Sequence, residues 1–243
     1  MDTGQTKWSP ANPAPLDLRV RARLEANQTR KAKTDTRVAE AIHDPYTWAT
    51  EHTETYNPHW VEEGRPSPYE PFPRDEYLRD VFIIMQLERI WWWEKSRDMM
   101  LSWACVAYLT LEAMKVAERE VLFQTQKEGK AVQLVDYAKC LYRRQKPFLR
   151  VAYPLSKPMN RQAKLRLEFA NGSRIIGIPG GANQIRSYHP WGYLNDESSF
   201  QPDAGECYNE ALAVVSGKII FNSSAGPGWY ADARHDITRN AEE

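Results

Sequence analysis

The sequence predicts an α/β fold in which a mostly parallel central sheet is flanked by helices. Residues 90–93 form a short, very apolar run with the composition of a buried strand, and an apolar helical pattern follows over 101–111. The same order then recurs, because 121–126 has the composition of a second buried strand and 129–144 that of an amphipathic helix. Strands that alternate with helices indicate a parallel sheet with helices on its faces.

Two further segments complete the predicted architecture. Residues 165–169 and 174–178 are strand-like and are separated by Asn171-Gly172, a strong turn signal, so we expect an antiparallel hairpin added to the sheet. Residues 74–87 have a helical pattern and lead into the first strand.

The domain organisation predicted from composition is an N-terminal arm over residues 1–70 and a globular domain over 71–243. Residues 17–37 are strongly basic, which suits an arm that touches DNA or a neighbouring subunit, although the simpler interpretation is a solvated, partly ordered tail. Residues 46–73 are rich in proline and aromatic residues and lack periodicity, so we expect an irregular segment packed across the globular domain.

Bulk properties limit the class of protein. The formal net charge of the 243-residue chain is zero, so any contact with nucleic acid has to be local. Its three cysteines are scattered without metal-ligand spacing, which favours a reducing, cytoplasmic setting. The N-terminus lacks an apolar signal core, and the longest uncharged apolar run, 99–111, is too short to span a bilayer. We therefore expect a soluble intracellular protein that does not associate with a membrane.

The first functional feature is a phosphate-binding arrangement. Residues 95–102 read KSRDMMLS and connect the predicted strand to a helix whose first turn carries Ser102. Backbone N–H groups and the dipole at a helix N-terminus favour an anion. On the usual G-x-x-x-x-G-K-[ST] pattern, Lys95 and Met100 replace the two glycines. Leu101 replaces the lysine, so the segment departs from a strict Walker A motif.

Two later segments add carboxylates and hydroxyls. Residues 193–197 read YLNDE, so an apolar segment ends in Asp196 and Glu197, a pair suited to Mg²⁺ binding and water activation. Residues 218–225 read KIIFNSSA, a strand-like run that ends in small hydroxylated residues. The Gly-Pro-Gly that follows also allows a simpler interpretation, a strand ending in a turn.

Taken in order, KSRDMMLS, YLNDE and NSSA resemble the ATPase domain of the tailed-bacteriophage large terminase subunit, the motor that packages DNA into a capsid. That family tolerates phosphate loops of the form K-S-R-x-x-x-x-S, and the resemblance covers residues 71–243. It implies a P-loop NTPase fold of the RecA-like (ASCE) class that hydrolyses ATP with Mg²⁺ and translocates double-stranded DNA. The implied partners are the portal protein, the small terminase subunit and further copies of the chain in a ring, working in the host cytoplasm. The family's C-terminal nuclease domain has no counterpart in this sequence, so no cutting activity is expected.

The resemblance also implies roles for individual residues. Lys95 neutralises phosphate charge, Ser102 and Asp196 hold Mg²⁺, and Glu197 orients and deprotonates the attacking water. Arg186 is the candidate to reach a γ-phosphate, of its own or a neighbouring subunit, although a structural arginine paired with a carboxylate is the alternative. The nucleotide-binding set is Lys95, Ser96, Arg97, Asp98, Met99, Met100, Leu101 and Ser102, and the coupling set is Ser223, Ser224 and Ala225.

Departures from the family pattern keep alternatives open. The glutamine that reads adenine in the family is missing near residues 74–76, so Tyr69, Phe72 or Tyr77 is an alternative base-stacking residue. Without loop glycines the backbone approaches phosphate less easily, which favours the alternative of a catalytically weak module that binds DNA or packaging partners without turnover. A helicase-like ATPase would need a second motor domain, for which the sequence has no room.

Overall fold

The structure, a computed structural model, describes residues 34–97, 99–226 and 228–233. The chain divides into two compact units, residues 1–39 and 40–243. Of the first unit, only residues 34–39 are described, and they are helical. Most of the basic stretch predicted to form an arm therefore lies outside the described residues. The second unit begins upstream of residue 71, where the sequence predicted the globular domain to start.

The second unit is built on a six-stranded sheet. Its described strands, together with those of a separate two-stranded hairpin, are β1 (Glu54–Tyr56), β2 (Tyr69–Pro71), β3 (Ile90–Lys95), β4 (Glu120–Thr125), β5 (Arg166–Glu168), β6 (Arg174–Pro179), β7 (Gly192–Asp196) and β8 (Lys218–Ser224). The order in the large sheet is β3-β8-β7-β4-β6-β5. Every neighbouring pair is parallel except β5 and β6. The predicted parallel sheet with one antiparallel hairpin is confirmed.

Helices follow the strands as the apolar patterns predicted. Besides the helical residues 34–42 and 229–233, the described helices are α1 (Pro45–His52), α2 (Glu76–Leu87), α3 (Leu101–Lys115), α4 (Glu128–Arg144), α5 (Pro147–Ala152) and α6 (Ala204–Val214), with short 3-10 turns at Met159–Arg161, Ala182–Gln184 and Ser198–Phe200. The structure bears out the predicted helices over 74–87 and 129–144 to within two residues at their starts. Among the described residues, no helix is both long and apolar enough to cross a membrane.

The two faces of the sheet have separate apolar layers. On one face, buried residues of β4, β6, β7 and β8 pack with Ile185, Cys207 and Tyr230, which come from the segments that follow β6, β7 and β8. α3 and α4 pack against each other and against the sheet strands, and both α1 and α2 pack on α3. α3 is buried along almost its whole length, as expected for a helix covered by other helices.

The first strand differs from the prediction of a buried strand. β3 is the edge strand of the sheet, with β8 as its neighbour on one side only, and its four apolar residues are half-buried. Trp92 stacks on Phe221 with ring centroids 4.9 Å apart, while Trp91 and Trp93 contact each other. The three tryptophan side chains of β3 therefore lie on an edge strand, where neighbouring aromatic side chains cover them in the absence of a second adjacent strand.

The segment over residues 46–73, predicted to be irregular, is regular in part. The Asp44 carboxylate caps α1 by accepting hydrogen bonds from the Thr47 N–H (2.8 Å) and hydroxyl (2.7 Å), and Pro45 occupies the first turn. Trp48 is fully buried, and its indole N–H donates to Gln145 at 3.3 Å. The antiparallel pair β1 and β2 follows. Capping and one buried tryptophan define this segment, and neither depends on a long apolar period.

Candidate functional site

The three motifs singled out in the sequence meet at one edge of the sheet. β3, β8 and β7 are consecutive parallel neighbours, so their carboxyl ends lie side by side. Lys95 at the end of β3 pairs in register with Ser224, and Asp196 at the end of β7 pairs with Asn222. This register places the charged end of each strand beside the hydroxyl- and amide-bearing end of β8.

A closed triangle of hydrogen bonds joins the helix to the two central strands. The Ser102 hydroxyl, in the first turn of α3, donates to Asp196 Oδ1 at 2.9 Å. Asn222 Nδ2 donates to the same oxygen at 2.6 Å and to the Ser102 hydroxyl at 3.1 Å. Asp196 and Asn222 are buried, so these bonds form in a region of low dielectric where they are strong.

The environment of Asp196 is unfavourable for charge. The pKa of its carboxyl is raised from 3.8 to about 6, because burial and the neighbouring Glu197 raise it more than Lys95 and the bonds from Ser102 and Asn222 lower it. A carboxylate held under this desolvation cost gains more than an exposed one from a cation brought next to it.

Glu197 turns toward the phosphate loop because of its backbone conformation. Consecutive residues on a strand point to opposite faces, but Glu197 lies just beyond β7 with φ 57° and ψ 46°, the left-handed region. Its Oε1 accepts a bond from Lys95 Nζ at 3.0 Å, and its Oε2 accepts one from the Ser224 N–H at 3.4 Å. A non-glycine residue with positive φ is held there by its surroundings, here by these two contacts.

The loop between β3 and α3 also contains a strained residue. Met100 precedes α3 with φ 50° and ψ 12°, although it has no side-chain bond that caps the helix. The sequence placed Met100 at a glycine position of the Walker A pattern, and the structure gives it the backbone conformation that glycine favours. Tyr77 of α2 donates its hydroxyl to the Met99 carbonyl oxygen at 3.0 Å and so contacts the loop.

The other predicted loop residues are placed differently. Ser96, Arg97 and Met99 are exposed, whereas Leu101 is buried in the core as the first residue of α3. Asp98, and with it any contact between Asp98 and Arg97, lies outside the described residues. Among the described residues of this loop, Lys95 and Ser102 are the two whose side chains contact the carboxylates.

Arg186 lies apart from this cluster. Its guanidinium donates to Glu210 at 2.5 Å and to Asn183 at 2.9 Å, and more than half of its side chain is exposed. The bond that Arg186 donates to the Glu210 carboxylate raises the pKa of Arg186. The contacts within the chain are therefore those of the structural alternative considered for this arginine.

The coupling residues join β8 to the segment that follows Glu197. The Ser223 hydroxyl accepts a bond from the Ser199 N–H at 3.0 Å and donates to the Ser224 carbonyl oxygen at 2.9 Å. Ser223 is buried, whereas Ala225 is exposed in the bend beyond β8. The end of β8 is thus tied both to Glu197 and to the residues immediately after it.

Asn222 and the polar network behind β7 belong to the site but were not among the residues predicted from the sequence. Gln124 of β4 accepts from the Tyr193 hydroxyl and from Asn195 Nδ2, and its own amide donates to the carbonyl oxygens of Pro179 and Gly181. Asn195 Oδ1 accepts from Ser198 and Gln201, each at 2.8 Å. The signal was present in the sequence, since Gln124, Asn195 and Asn222 are polar residues inside otherwise apolar strands.

The residues at this edge fit a divalent cation with hard-oxygen ligands. The Ser102 hydroxyl and the Asp196 carboxylate are of the type that Mg²⁺ takes in nucleotide sites. Beside them, Asn222 Oδ1 is buried without a hydrogen-bond partner among the described residues. A buried acceptor left unpaired next to a desolvated carboxylate is an arrangement that a cation with its water molecules would satisfy.

Comparison with known proteins supports the fold. No family model matches the sequence, and no curated protein matches it. Among solved structures, the large terminase of bacteriophage HK97 has a TM-score of 0.59 at 10% identity, covering 83% of this chain and 42% of that one. The ATPase domain of the Thermus phage P74-26 large terminase has a TM-score of 0.49 in a mutant form and 0.47 in another structure, at 13% and 12% identity. These two matches cover 66% and 62% of this chain, and 69% and 66% of theirs.

The present chain spans less than half the length of the HK97 protein. At this level of identity the likeness concerns the fold alone, and it agrees with the α/β architecture described above. The chain therefore shares the fold of the part of this phage large terminase that it covers.

Proposed function

We propose that this chain is the ATPase of a DNA-packaging motor, which hydrolyses ATP with Mg²⁺ and uses the free energy to move double-stranded DNA into a viral capsid. The observation that supports it is the convergence of Lys95, Ser102, Asp196 and Glu197 at the carboxyl edge of a parallel sheet of this fold. A cation, a hydroxyl and two carboxylates in separate roles are the parts that phosphoryl transfer to water requires.

Lys95 binds the phosphates of ATP in this proposal. Only 10% of its side chain is exposed, and its ammonium group is bonded to Glu197. A triphosphate placed over the loop offers Lys95 more negative charge than one carboxylate does, so ATP competes with Glu197 for the ammonium group. Binding of ATP therefore releases the Glu197 carboxylate. Until ATP is bound, this carboxylate stays in its ion pair with Lys95.

Glu197 is the proposed general base. Once released from Lys95 it orients a water molecule and accepts its proton, while Lys95 stabilises the charge that develops on the transferred phosphoryl group. Arg97, exposed in the same loop, is a second cation for the phosphates.

Ser102 and Asp196 are the residues proposed to hold magnesium. Asn222 fixes the Asp196 carboxylate by donating a hydrogen bond to it, as Ser102 also does. When bound, Mg²⁺ supplies charge neutralisation for the phosphates of ATP. The Asp196 carboxyl has to be ionised for this role, and the cation offsets the cost of keeping it ionised in a buried position.

Coupling to motion would pass through β8. Glu197 accepts the Ser224 N–H, and Ser223 accepts the N–H of the residue two positions after Glu197, so a movement of Glu197 toward water changes bonds at the end of β8. We propose Ser223, Ser224 and Ala225 as the segment that transmits the state of the nucleotide.

Arg186 and the adenine pocket are the finer parts of the proposal. We propose that Arg186 exchanges Glu210 for the γ-phosphate of a bound nucleotide in a ring of subunits. Among the aromatic residues considered for the adenine, Tyr77 is favoured because its hydroxyl already contacts the phosphate loop. The portal protein, the small terminase subunit and residence in the host cytoplasm belong to the same proposal.

A second candidate function is a module that binds nucleotide or DNA without turnover. The strained Met100 favours it, because a loop that has to hold methionine in the left-handed region is less able to reshape around phosphates than a glycine loop.

The test is steady-state ATP hydrolysis by the purified chain, with and without duplex DNA, beside two variants. We expect Glu197→Gln to lower the rate by at least about 100-fold, the usual contribution of a general base, while ATP binding is retained or strengthened because Lys95 loses its carboxylate partner. Lys95→Ala should instead weaken ATP binding by roughly 10- to 100-fold, the effect of one charge-assisted hydrogen bond.

The two variants separate the candidate functions. ATP binding without hydrolysis in the unaltered chain, at any protein concentration and with or without DNA, supports the module and rejects the motor. Hydrolysis that survives in Glu197→Gln rejects the role of Glu197.

A further inference from the structure

The charges of this chain are unevenly distributed along the sequence. Residues 137–167 contain no Asp or Glu and carry nine basic residues, which are Lys139, Arg143, Arg144, Lys146, Arg150, Lys157, Arg161, Lys164 and Arg166. The rest of the chain then holds 23 Lys and Arg against 32 Asp and Glu, so its formal charge is negative. A chain with zero net charge therefore has, besides the basic stretch over 17–37, a second long segment that attracts polyanions.

This segment forms a continuous part of the described structure. It runs from the last turns of α4 through α5 and the 3-10 turn Met159–Arg161 to the edge strand β5. The side chains of six of its basic residues are exposed, namely Arg143, Lys146, Lys157, Arg161, Lys164 and Arg166. We refer to the exposed side chains of these six residues and the groove between α4 and residue 159 as the basic surface.

Internal ion pairs neutralise only part of the segment. Arg144 is paired with Glu54 at 2.6 Å, and Lys157 and Arg166 share Glu168 at 3.1 and 3.8 Å. Buried Lys139 is bonded to two backbone carbonyl oxygens, at 2.8 Å each.

Four cations of the basic surface remain unpaired. Within the described part of the chain, no carboxylate lies within ion-pair distance of Arg143, Lys146, Arg161 or Lys164. Exposed cations without carboxylate partners are available to an external anion at no cost of breaking a pair.

A groove lies within the basic surface. It has a volume of about 400 Å³ and is lined by Arg143, Arg150, Lys157 and Ser156 among others, with no carboxylate in its lining. Arg150 is held in place, because its Nη1 donates to the carbonyl oxygens of Arg143 (2.6 Å) and Gln145 (2.7 Å) at the end of α4. The guanidinium is therefore fixed by neutral acceptors and keeps its full charge.

The basic surface is separate from the nucleotide site. α4 follows β4 and returns along the sheet, so Arg143 lies toward the amino edge, opposite to the carboxyl edge that carries Lys95 and Asp196. Ser156 is bonded to Glu168, which pairs with Arg174 at the start of β6, so the groove lies toward the same amino edge. A ligand on this surface does not compete with ATP for Lys95.

We propose that the basic surface binds the phosphodiester backbone of double-stranded DNA. The proposal rests on the proposed function, which requires the chain to hold duplex DNA and leaves the contact residues unassigned. Four unpaired, exposed cations on one continuous segment, of which Arg143 lines the groove, can neutralise several phosphates at once. They carry no base-specific arrangement, as a motor that moves any sequence needs. Binding should therefore be independent of sequence and steeply dependent on salt.

The test measures binding of a short, fluorescently labelled DNA duplex to the full chain by anisotropy, at several KCl concentrations between about 50 and 200 mM. The test variant is the triple substitution Arg143→Gln, Arg161→Gln and Lys164→Gln. The matched control is Arg74→Gln, Arg79→Gln and Lys130→Gln, which removes the same charge from exposed positions outside the basic surface. Circular dichroism and ATP hydrolysis without DNA should be unchanged in both variants.

We expect the test variant to lose at least about tenfold in affinity at 100 mM KCl and to reduce the slope of log K against log salt by roughly 0.9 for each lost phosphate contact. The control should stay within about twofold and keep the slope, because its positions contact no phosphate. Equal losses in both variants would show a general charge effect and overturn the proposal. Absence of duplex binding by the unaltered chain would overturn it as well.

Two further outcomes separate this proposal from the motor function. If the chain hydrolyses ATP while the test variant binds duplex normally, the motor stands and the basic surface is not its DNA contact. If the chain does not hydrolyse ATP, but the test variant loses duplex affinity and the control variant does not, the basic surface is a DNA-binding surface and the motor function is rejected. Selective binding of phosphatidylserine vesicles over duplex through the same three residues would assign a membrane as the ligand and overturn the proposal.

Discussion

The two strands that supply the charged residues of the site are built in different ways. β7, which ends in Asp196, is buried at all five positions and lies between two parallel neighbours. β3, which ends in Lys95, is an edge strand with half-buried residues. The polar side chain of Asn195 on β7 is satisfied by four hydrogen bonds, whereas the indole N–H groups of Trp91 and Trp93 are buried without a partner among the described residues.

Because of this difference, the part of the site at the end of β7 is more rigid than the phosphate loop that follows β3. The Asp196 carboxylate is held by Ser102 and Asn222, and Gln201 links the Asp196 backbone oxygen to the network of Asn195, which reaches β4 through Gln124. The phosphate-binding half rests on an edge strand, one ion pair and a strained residue, Met100. A site with a fixed Asp196 and an adaptable loop fits a reaction in which the substrate has to take Lys95 away from Glu197.

The largest effect should come from breaking the network behind β7. Asn195→Ala removes both amide bonds to Gln124 and Tyr193 and the acceptor for Ser198 and Gln201, and it leaves a small cavity in a buried layer. We expect the free energy of unfolding to fall by about 3–4 kcal/mol, from several lost or unpaired buried groups together. Urea denaturation followed by tryptophan fluorescence measures it.

The matched change on the other strand is Trp93→Phe. It removes an indole N–H that has no partner among the described residues, so relief of the unpaired donor offsets the smaller ring, and we expect a loss below about 1 kcal/mol. Asn160→Ala, at an exposed position, is the control and should stay within about 0.5 kcal/mol. Similar losses for Asn195→Ala and Trp93→Phe would remove the proposed contrast between the strands.

The next effect is a dependence of stability on pH that Asp196 causes. Its pKa is about 6 in the folded chain against 3.8 for an unperturbed carboxyl. Below pH 3.8 both states are protonated and burial has no electrostatic cost. As the pH rises through the folded pKa, the unfolded chain has already released its proton, so stability falls and then levels off above about pH 7.

The measurement compares the unaltered chain with Asp196→Asn in chelator-containing buffer from pH 4 to 7.5. Asparagine does not ionise, so the Asp196→Asn variant avoids the cost of burying a charge. Its free energy of unfolding, relative to that of the unaltered chain, should rise by about 2–3 kcal/mol over this pH range, as a shift of about two pKa units requires. Tyr137→Phe is a control that removes another group with a raised pKa, whose titration lies above this range. If the difference in free energy of unfolding between the two chains does not change with pH, the pKa of Asp196 is that of an unperturbed carboxyl.

Much of this fold was predictable from local patterns, and the site was predictable only in its parts. The limits of α4 follow from the 3.6-residue period of its apolar side chains, and the β5–β6 hairpin follows from Asn171-Gly172, where Gly172 has φ 87°. The order of strands in a sheet is not encoded in any local sequence pattern. The tryptophan-rich strand β3 was therefore predicted to be buried, although it lies at the edge of the sheet. The left-handed turn at Glu197 comes from contacts between distant segments, which no local pattern records.

The smallest effect should come from Met100, the strained residue of the adaptable half. Left-handed conformation costs a non-glycine residue roughly 1–2 kcal/mol, and the extra freedom of glycine in the unfolded chain costs roughly 0.4–1 kcal/mol. Met100→Gly should therefore raise the free energy of unfolding by up to about 1 kcal/mol, whereas Met99→Gly, next to it without positive φ, should lower it by a similar amount. Thermal unfolding of the two variants measures the difference.

The same pair of variants tests whether the strain in the loop limits nucleotide binding. Glycine at position 100 lets the backbone approach phosphate more closely, so we expect the Kd for ATP to improve a fewfold in Met100→Gly and to stay unchanged in Met99→Gly. A gain in stability without a gain in affinity would mean that the loop keeps its conformation when ATP binds. A gain in both would mean that replacing the glycine of the usual pattern with methionine weakens the phosphate-binding half, while the carboxylate half remains unaffected.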